Sequence, residues 1–159
     1  MSNPSEDYFP SFSIERYRLL VEEAQDIIFE TDLKGYFTFI NKRGSEILGY
    51  SKSEILSKKF ADLVNPDYKE SVRSFYRQQV VDNQQNSYLE FPATTHSGEE
   101  VWLGQNVQLL YKGEEIKGSM AVARVITEKH KEDLLTKQSE EKYRSIIQNL
   151  QFGLIEVEL

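Results

Sequence analysis

The chain has 159 residues, a net charge of −7, 12% aromatic side chains and no cysteine. Its size gives one domain with a tail and is enough for a hydrophobic core. Acidic groups are spread along it without a basic block, so direct nucleic-acid binding is not expected. Without thiols it has no disulfides, thiolate metal sites or cysteine nucleophiles.

Residues 1–12, with Pro4 and Pro10, read as a loose polar arm and lack the apolar core of a signal peptide. From Ser13, the apolar positions Ile14, Tyr17, Leu20, Val21 and Ala24 recur at helical spacing and make one amphipathic stripe. Ile27 to Asp32 reads as a short strand. The turn through Gly35 hands the chain to a second strand in YFTFIN. Asn41 suits the N-cap of a helix running through Ile47 and Leu48, and Gly49 suits its stop. Ser51 and Glu54 form an S-x-x-E capping box for the next short helix.

A third helix is expected to open at Asn65-Pro66, with Tyr68, Val72, Phe75 and Tyr76 on its apolar face. Three strands follow, Tyr88 to Thr95, Val101 to Tyr111 and Gly118 to Thr127, separated by turns at Gly98 and Gly113. Pro92 has no amide hydrogen for a ladder, so its strand belongs at an edge or carries a bulge. This order predicts an α+β domain on a five-stranded antiparallel sheet, with short crossover helices on one face and helices at both ends.

Residues 128–141 read as a solvated helical linker in which Leu134 and Leu135 are the only aliphatic residues, suited to pairing weakly with its own copy, with a helix lying in solvent between domains as the alternative. The segment Lys142 to Glu158, KYRSIIQNLQFGLIEVE, then repeats Arg16 to Asp32, RYRLLVEEAQDIIFETD, at an offset of 126 residues. Residues 142–159 are thus expected to start a second domain, reaching its first strand near the end. The first domain spans 13–127.

Five strings in this order, ETDLKGYFTFIN, NKRGSEILGYSKSEIL, DLVNPDY, HSGEEVWL and ARVITEKHK, resemble the PAS sensor family. The resemblance covers residues from about 13 to 130, and the restart at 142 looks like a second copy. It implies a cupped sheet with helices across its concave face and room for a small ligand. It also implies tandem placement upstream of a histidine kinase, cyclase or other output module, with a helix leaving the last strand to carry the signal. The family's last strand usually ends in Asp-Ile-Thr. Here Val125-Ile126-Thr127 stands in its place. A polar anchor is therefore expected to be missing, and coupling is expected to run through packing of Val125 and Ile126.

The family's light-sensing subclass attaches flavin to a cysteine. Phe60 occupies that reactive position here, and Lys59 stands where a flavin-contacting Asn would be, so adduct chemistry is excluded. Haem is not expected, because the crossover helix from Tyr68 to Val81 has no histidine. His96 and His130 are expected to face solvent, and no metal-ligand spacing appears. No catalytic residues are assigned.

In flavin-binding relatives the small-residue phase of the last strand faces the cavity. That phasing turns Ser119, Ala121 and Ala123 inward, with Leu103, Gln105 and Val107 beside them and Phe29, Thr31 and Phe91 completing a candidate pocket. Gln105 is its hydrogen-bonding group. Packing of the same residues against the crossover helices is the alternative. Met120, Val122, Trp102, Tyr17, Leu20 and Val21 are expected to cover the outer face, within one chain or across a homodimer.

These readings combine into a sensory input domain of a bacterial sensor histidine kinase, with a downstream output domain and a small-molecule ligand of unknown identity. This segment is expected in the cytoplasm without membrane contact; a longer parent could carry an anchor. A ligand-free dimerisation and spacer module is one alternative, and a small α+β enzyme with a cone-shaped sheet is another.

Overall fold

The computed structural model describes the backbone of residues 9–157 and side chains from Ser13 to Phe152. The expected loose arm lies outside the described residues up to Tyr8. From Phe9 the chain is already helical, so α1 runs Phe9–Glu22 with Pro10 in its first turn, where a missing amide hydrogen costs nothing. The strands are β1 (Ile27–Asp32), β2 (Phe37–Ile40), β3 (Asn86–Thr94), β4 (Glu100–Lys112) and β5 (Glu115–Val125). They form one antiparallel sheet in the order β2-β1-β5-β4-β3, so β5 is central and β3 is an edge, as Pro92 requires.

The chain leaves the sheet at one edge, β2, and re-enters at the other, β3. Helices α2 (Lys42–Leu48), α3 (Lys52–Ile55), a 3-10 turn (Phe60–Leu63) and α4 (Lys69–Val81) make that crossing. Their local signals are met. Asn41 caps α2, Gly49 ends it at φ +77°, and Ser51 and Glu54 close the capping box of α3. Helix α4 begins at Lys69 rather than at Pro66, because Asn65 to Tyr68 form a turn in which the Asn65 side chain accepts from the Asp67 amide. Tyr68 consequently leaves the helix face and packs edge-on against Trp102, at 5.6 Å between ring centroids.

Each sheet edge is met at one point by a segment flanking the 3-10 turn. The Phe37 amide donates to the Lys58 carbonyl at 3.2 Å, and the Asn65 amide donates to the Pro92 carbonyl at 2.9 Å. Part of each edge is thereby covered. On the inner face Leu48, Ile55, Leu63, Val64 and Val72 pack against Ile27, Phe29, Phe91 and Leu103. Burying each such side chain contributes about 1.5–3 kcal/mol.

Asn41 does more than cap. It is fully buried, and its Oδ1 accepts from the Ile28 amide at 3.0 Å and the Gly44 amide at 3.1 Å. Its Nδ2 donates to the carbonyls of Val21 at 2.9 Å and Asp26 at 3.0 Å. One amide therefore ties the end of α1, the start of β1 and the first turn of α2 together. Glu22 adds a second tie: it accepts from the Lys42 amide at 2.8 Å and from Lys52 Nζ at 2.6 Å.

The chain divides into two compact units, Met1–Val125 and Ile126–Leu159. The second is one helix, α5 (Thr127–Val157, 31 residues). The segment expected to reach a first strand near the end is helical through Val157. A strand needs neighbours for its amides and carbonyls, and a helix satisfies them within itself.

Candidate functional site

The inner face of the sheet is organised in rungs. Phe29, Ala121 and Val107 align across β1, β5 and β4, and so do Thr31, Ser119 and Leu109. The next rung carries Ile27, Ala123, Gln105 and Leu89. Because β5 is central and contributes Ser, Ala and Ala in this phase, bulky neighbours on both sides leave a trough along the middle of the sheet.

That trough has two parts. Its open part is a cavity of about 480 Å³ lined by Phe29, Thr31, Gln105, Val107, Ser119 and Ala121 of the sequence-derived set. The volume lies within the usual range of small-molecule sites. The closed part holds Phe91, Leu103 and Ala123, and only about 20 Å³ remains there. The reason is Phe60. Its ring stacks on Phe29 at 5.8 Å and meets Phe91 edge-on at 5.5 Å and Tyr76 edge-on at 5.7 Å. The open part and the closed part lie on the same face of the sheet.

Phe60, Tyr76 and Leu109 also wall the cavity, and sequence alternation alone did not assign them. Phe60 and Tyr76 belong to the crossover, where their direction depends on how that segment crosses the sheet. Within the site, Gln105 is buried; its Nε2 donates to the Tyr76 hydroxyl at 2.9 Å, and its Oε1 has no partner. Burial raises the pKa of Tyr76 strongly, which keeps its hydroxyl protonated at neutral pH. The Thr31 and Ser119 hydroxyls bond to each other at 2.9 Å. Gln79, buried in α4, donates to the Gln84 carbonyl at 3.1 Å and accepts from the Ser87 hydroxyl at 2.7 Å, which pins the helix end to β3.

On the outer phase, Met120, Val122 and Trp102 are half-buried. Tyr17 and Leu20 on α1 are 68% and 61% exposed, so these two side chains are not packed away among the described residues; Val21 is partly buried. At the exit, Val125 pairs with Leu103 yet stays 42% exposed. Thr127 is the first residue of α5, and the Ile126 carbonyl accepts from the His130 amide at 2.8 Å. One position before Val125, Arg124 forks onto Asp26, from Nη2 to Oδ2 at 2.9 Å, a bond within the sheet unit that ties β5 to the start of β1.

Among the described residues, no three His, Asp or Glu side chains gather as metal ligands. No helix among them is long and apolar enough to cross a membrane.

An antiparallel sheet packed on a helical crossover, with a cavity against its central strand, defines a small α+β domain. The model of the PAS fold matches residues 15–126, and the chain belongs to that family. Among solved structures it is similar to a PAS domain from Colwellia psychrerythraea, with 23% identity, 73% of this chain and 98% of the other covered, and TM-score 0.68. It is also similar to the PAS domain of an HTR-like protein from Haloarcula marismortui, with 20% identity, 78% and 100% coverage, and TM-score 0.65. A domain of a sensory box sensor histidine kinase/response regulator from Geobacter sulfurreducens matches at 23% identity, 72% and 95% coverage, and TM-score 0.59. No curated protein gives a significant match.

Proposed function

We propose that this PAS domain is the input module of a multidomain signalling protein of the sensor histidine kinase kind. A small molecule in the cavity is its signal, and the strand leading to α5 is its output path. One observation carries this reading. Ser119 and Ala121 form cavity wall on β5, and β5 ends at Val125, two residues before α5 begins. A guest that favours one position of this strand shifts the populations of the exit helix by its differential affinity for the two states, and by no more than that.

The similarity to a domain of the Geobacter histidine kinase/response regulator supports the kinase context. The repeat at Lys142 to Glu158 supports a further PAS copy downstream. Helix α5 carries Tyr143, Ile146, Ile147 and Leu150, each at least 47% exposed, at spacings that fit pairing with a second copy of the helix. The homodimer and the cytoplasmic setting belong to this reading.

The test is ligand uptake. Native mass spectrometry and thermal shift against a metabolite panel should detect a guest that Ala121→Trp abolishes. Ser119→Leu, at a less buried wall position, should weaken it in a variant that stays folded. A full panel without response, in a protein whose dimer forms normally, favours the spacer module.

A further inference from the structure

The geometry points to the class of guest: an amphipathic organic anion, with its apolar body against the sheet and its anionic group at the rim. This deepens the cavity reading above and rests on it.

The rim is the first observation. Among the described residues, Lys34, Lys59, Arg73 and Arg77 line the cavity, and Asp32 is the one acidic residue that does. In a chain of net charge −7 this is a local reversal of sign. Asp32 is already engaged, since its Oδ1 accepts from the amides of Lys34 and Tyr36 at 2.9 Å each. Among the described residues, none of the four cations forms an ion pair; Lys59 Nζ lies over the Tyr36 ring at 4.9 Å, and no such ring contact engages Lys34, Arg73 or Arg77. Other basic residues here do pair with acids, as Lys52 does with Glu22 and Lys69 with Asp62. Arg73 and Arg77 stand one helical turn apart on α4, so both guanidinium groups can serve one carboxylate, sulfonate or phosphate.

The interior is the second observation, and it is independent of the first. Behind the rim the walls are Phe29, Phe60, Val107, Leu109 and Ala121, which suit an aromatic or aliphatic body. Among them Gln105, only 1% exposed, keeps its Oε1 without a partner. A buried acceptor left unpaired is costly, so an N–H or O–H on the inner end of a guest would be favoured there. A group that is apolar in the middle, anionic at one end and a hydrogen-bond donor at the other meets all three features.

A matched pair of fluorescent probes tests the charge. The dye 1-anilinonaphthalene-8-sulfonate and neutral N-phenyl-1-naphthylamine share a ring skeleton and differ in the sulfonate. The sulfonate should bind the wild-type chain roughly tenfold or more tightly than the neutral probe, and less so as salt is raised. The double variant Arg73→Gln/Arg77→Gln, both at exposed positions, should bring it down to the neutral probe's affinity and leave the neutral probe unchanged.

Equal affinities in the wild type overturn the anion assignment; if Ala121→Trp then abolishes both, the cavity reading stands. Binding of neither probe, or binding of both unchanged in Ala121→Trp, overturns the cavity reading and this inference with it. The inner hydrogen bond is read by competition. The inferred donor predicts that 6-hydroxy-2-naphthoate displaces the sulfonate at about tenfold lower concentration than 2-naphthoate, a gap that Gln105→Leu closes. No gap in the wild type overturns that part.

Discussion

Asp26 and Arg124 meet through two parallel hydrogen bonds, 3.1 Å from Nε to Oδ1 and 2.9 Å from Nη2 to Oδ2. The fork joins the residue ahead of β1 to the penultimate residue of the exit strand, beside the position where the family usually places its aspartate. The Arg124 guanidinium, chiefly through the side-chain hydrogen bond, holds the Asp26 carboxyl below its ordinary value. The folded pKa is depressed, so the pair stabilises the fold above pH 3.8, and that contribution is lost as pH falls through the folded value. Arg124→Gln should return the Asp26 carboxyl toward its usual range in an NMR titration. The Tm gap between wild type and variant should shrink below pH 3.8.

The buried Asn41 makes a stronger demand. Replacing it with Ala leaves two amides and two carbonyls without their partner and should cost about 3–5 kcal/mol in urea unfolding. Asn41→Asp keeps the two accepted bonds and loses the two donated ones. It should be nearly as damaging, because a carboxylate would then face the Val21 and Asp26 carbonyls.

Gly118 sits where β5 presses on β1. A Cβ there would collide with the Thr31 carbonyl oxygen, which is backbone and cannot turn aside. Gly118→Ala should destabilise the domain by about 2–3 kcal/mol. Since Gly118 also lines the cavity, probe binding should weaken in step with stability.

The N-terminal helix offers a test of dimerisation. Removing residues 1–24 would also take away the Val21 carbonyl that Asn41 bonds, so lost dimer and lost fold would be confused. The exposed pair Tyr17→Glu/Leu20→Glu avoids that. Sedimentation should show about a tenfold weaker dimer with an unchanged melting temperature; an unchanged dimer counts against the α1 contact.

Strand phase was the most legible feature of the sequence. Alternation put Phe29, Thr31, Val107, Ser119 and Ala121 on one face because a strand's side-chain period is fixed at two. Capping chemistry at Asn41, Gly49 and Ser51 was equally local. Leu109 continues the phase of Gln105 and Val107 on β4, and the other wall residues left unassigned belong to the crossover. The direction of Phe60, which divides cavity from core, follows from a 3-10 turn that no periodicity announces. The cationic rim gathers Lys34, Lys59, Arg73 and Arg77 from three separate segments; only the four-residue spacing of the two arginines was available as a signal. Asn41 was readable as a cap, yet its bonds to Val21 and Asp26 come from chain brought close by tertiary packing. The C-terminal repeat was readable as a string, and its described residues are helical through Val157.

The central claim is that a guest in the cavity acts on the strand that exits toward α5. Hydrogen exchange of the β5 amides from Ser119 to Val125, with and without saturating 1-anilinonaphthalene-8-sulfonate, tests it most directly. The account predicts slower exchange along β5 and altered exchange in the first turns of α5, both absent in Ala121→Trp. Unchanged exchange in β5 and α5 with the cavity fully occupied would contradict it.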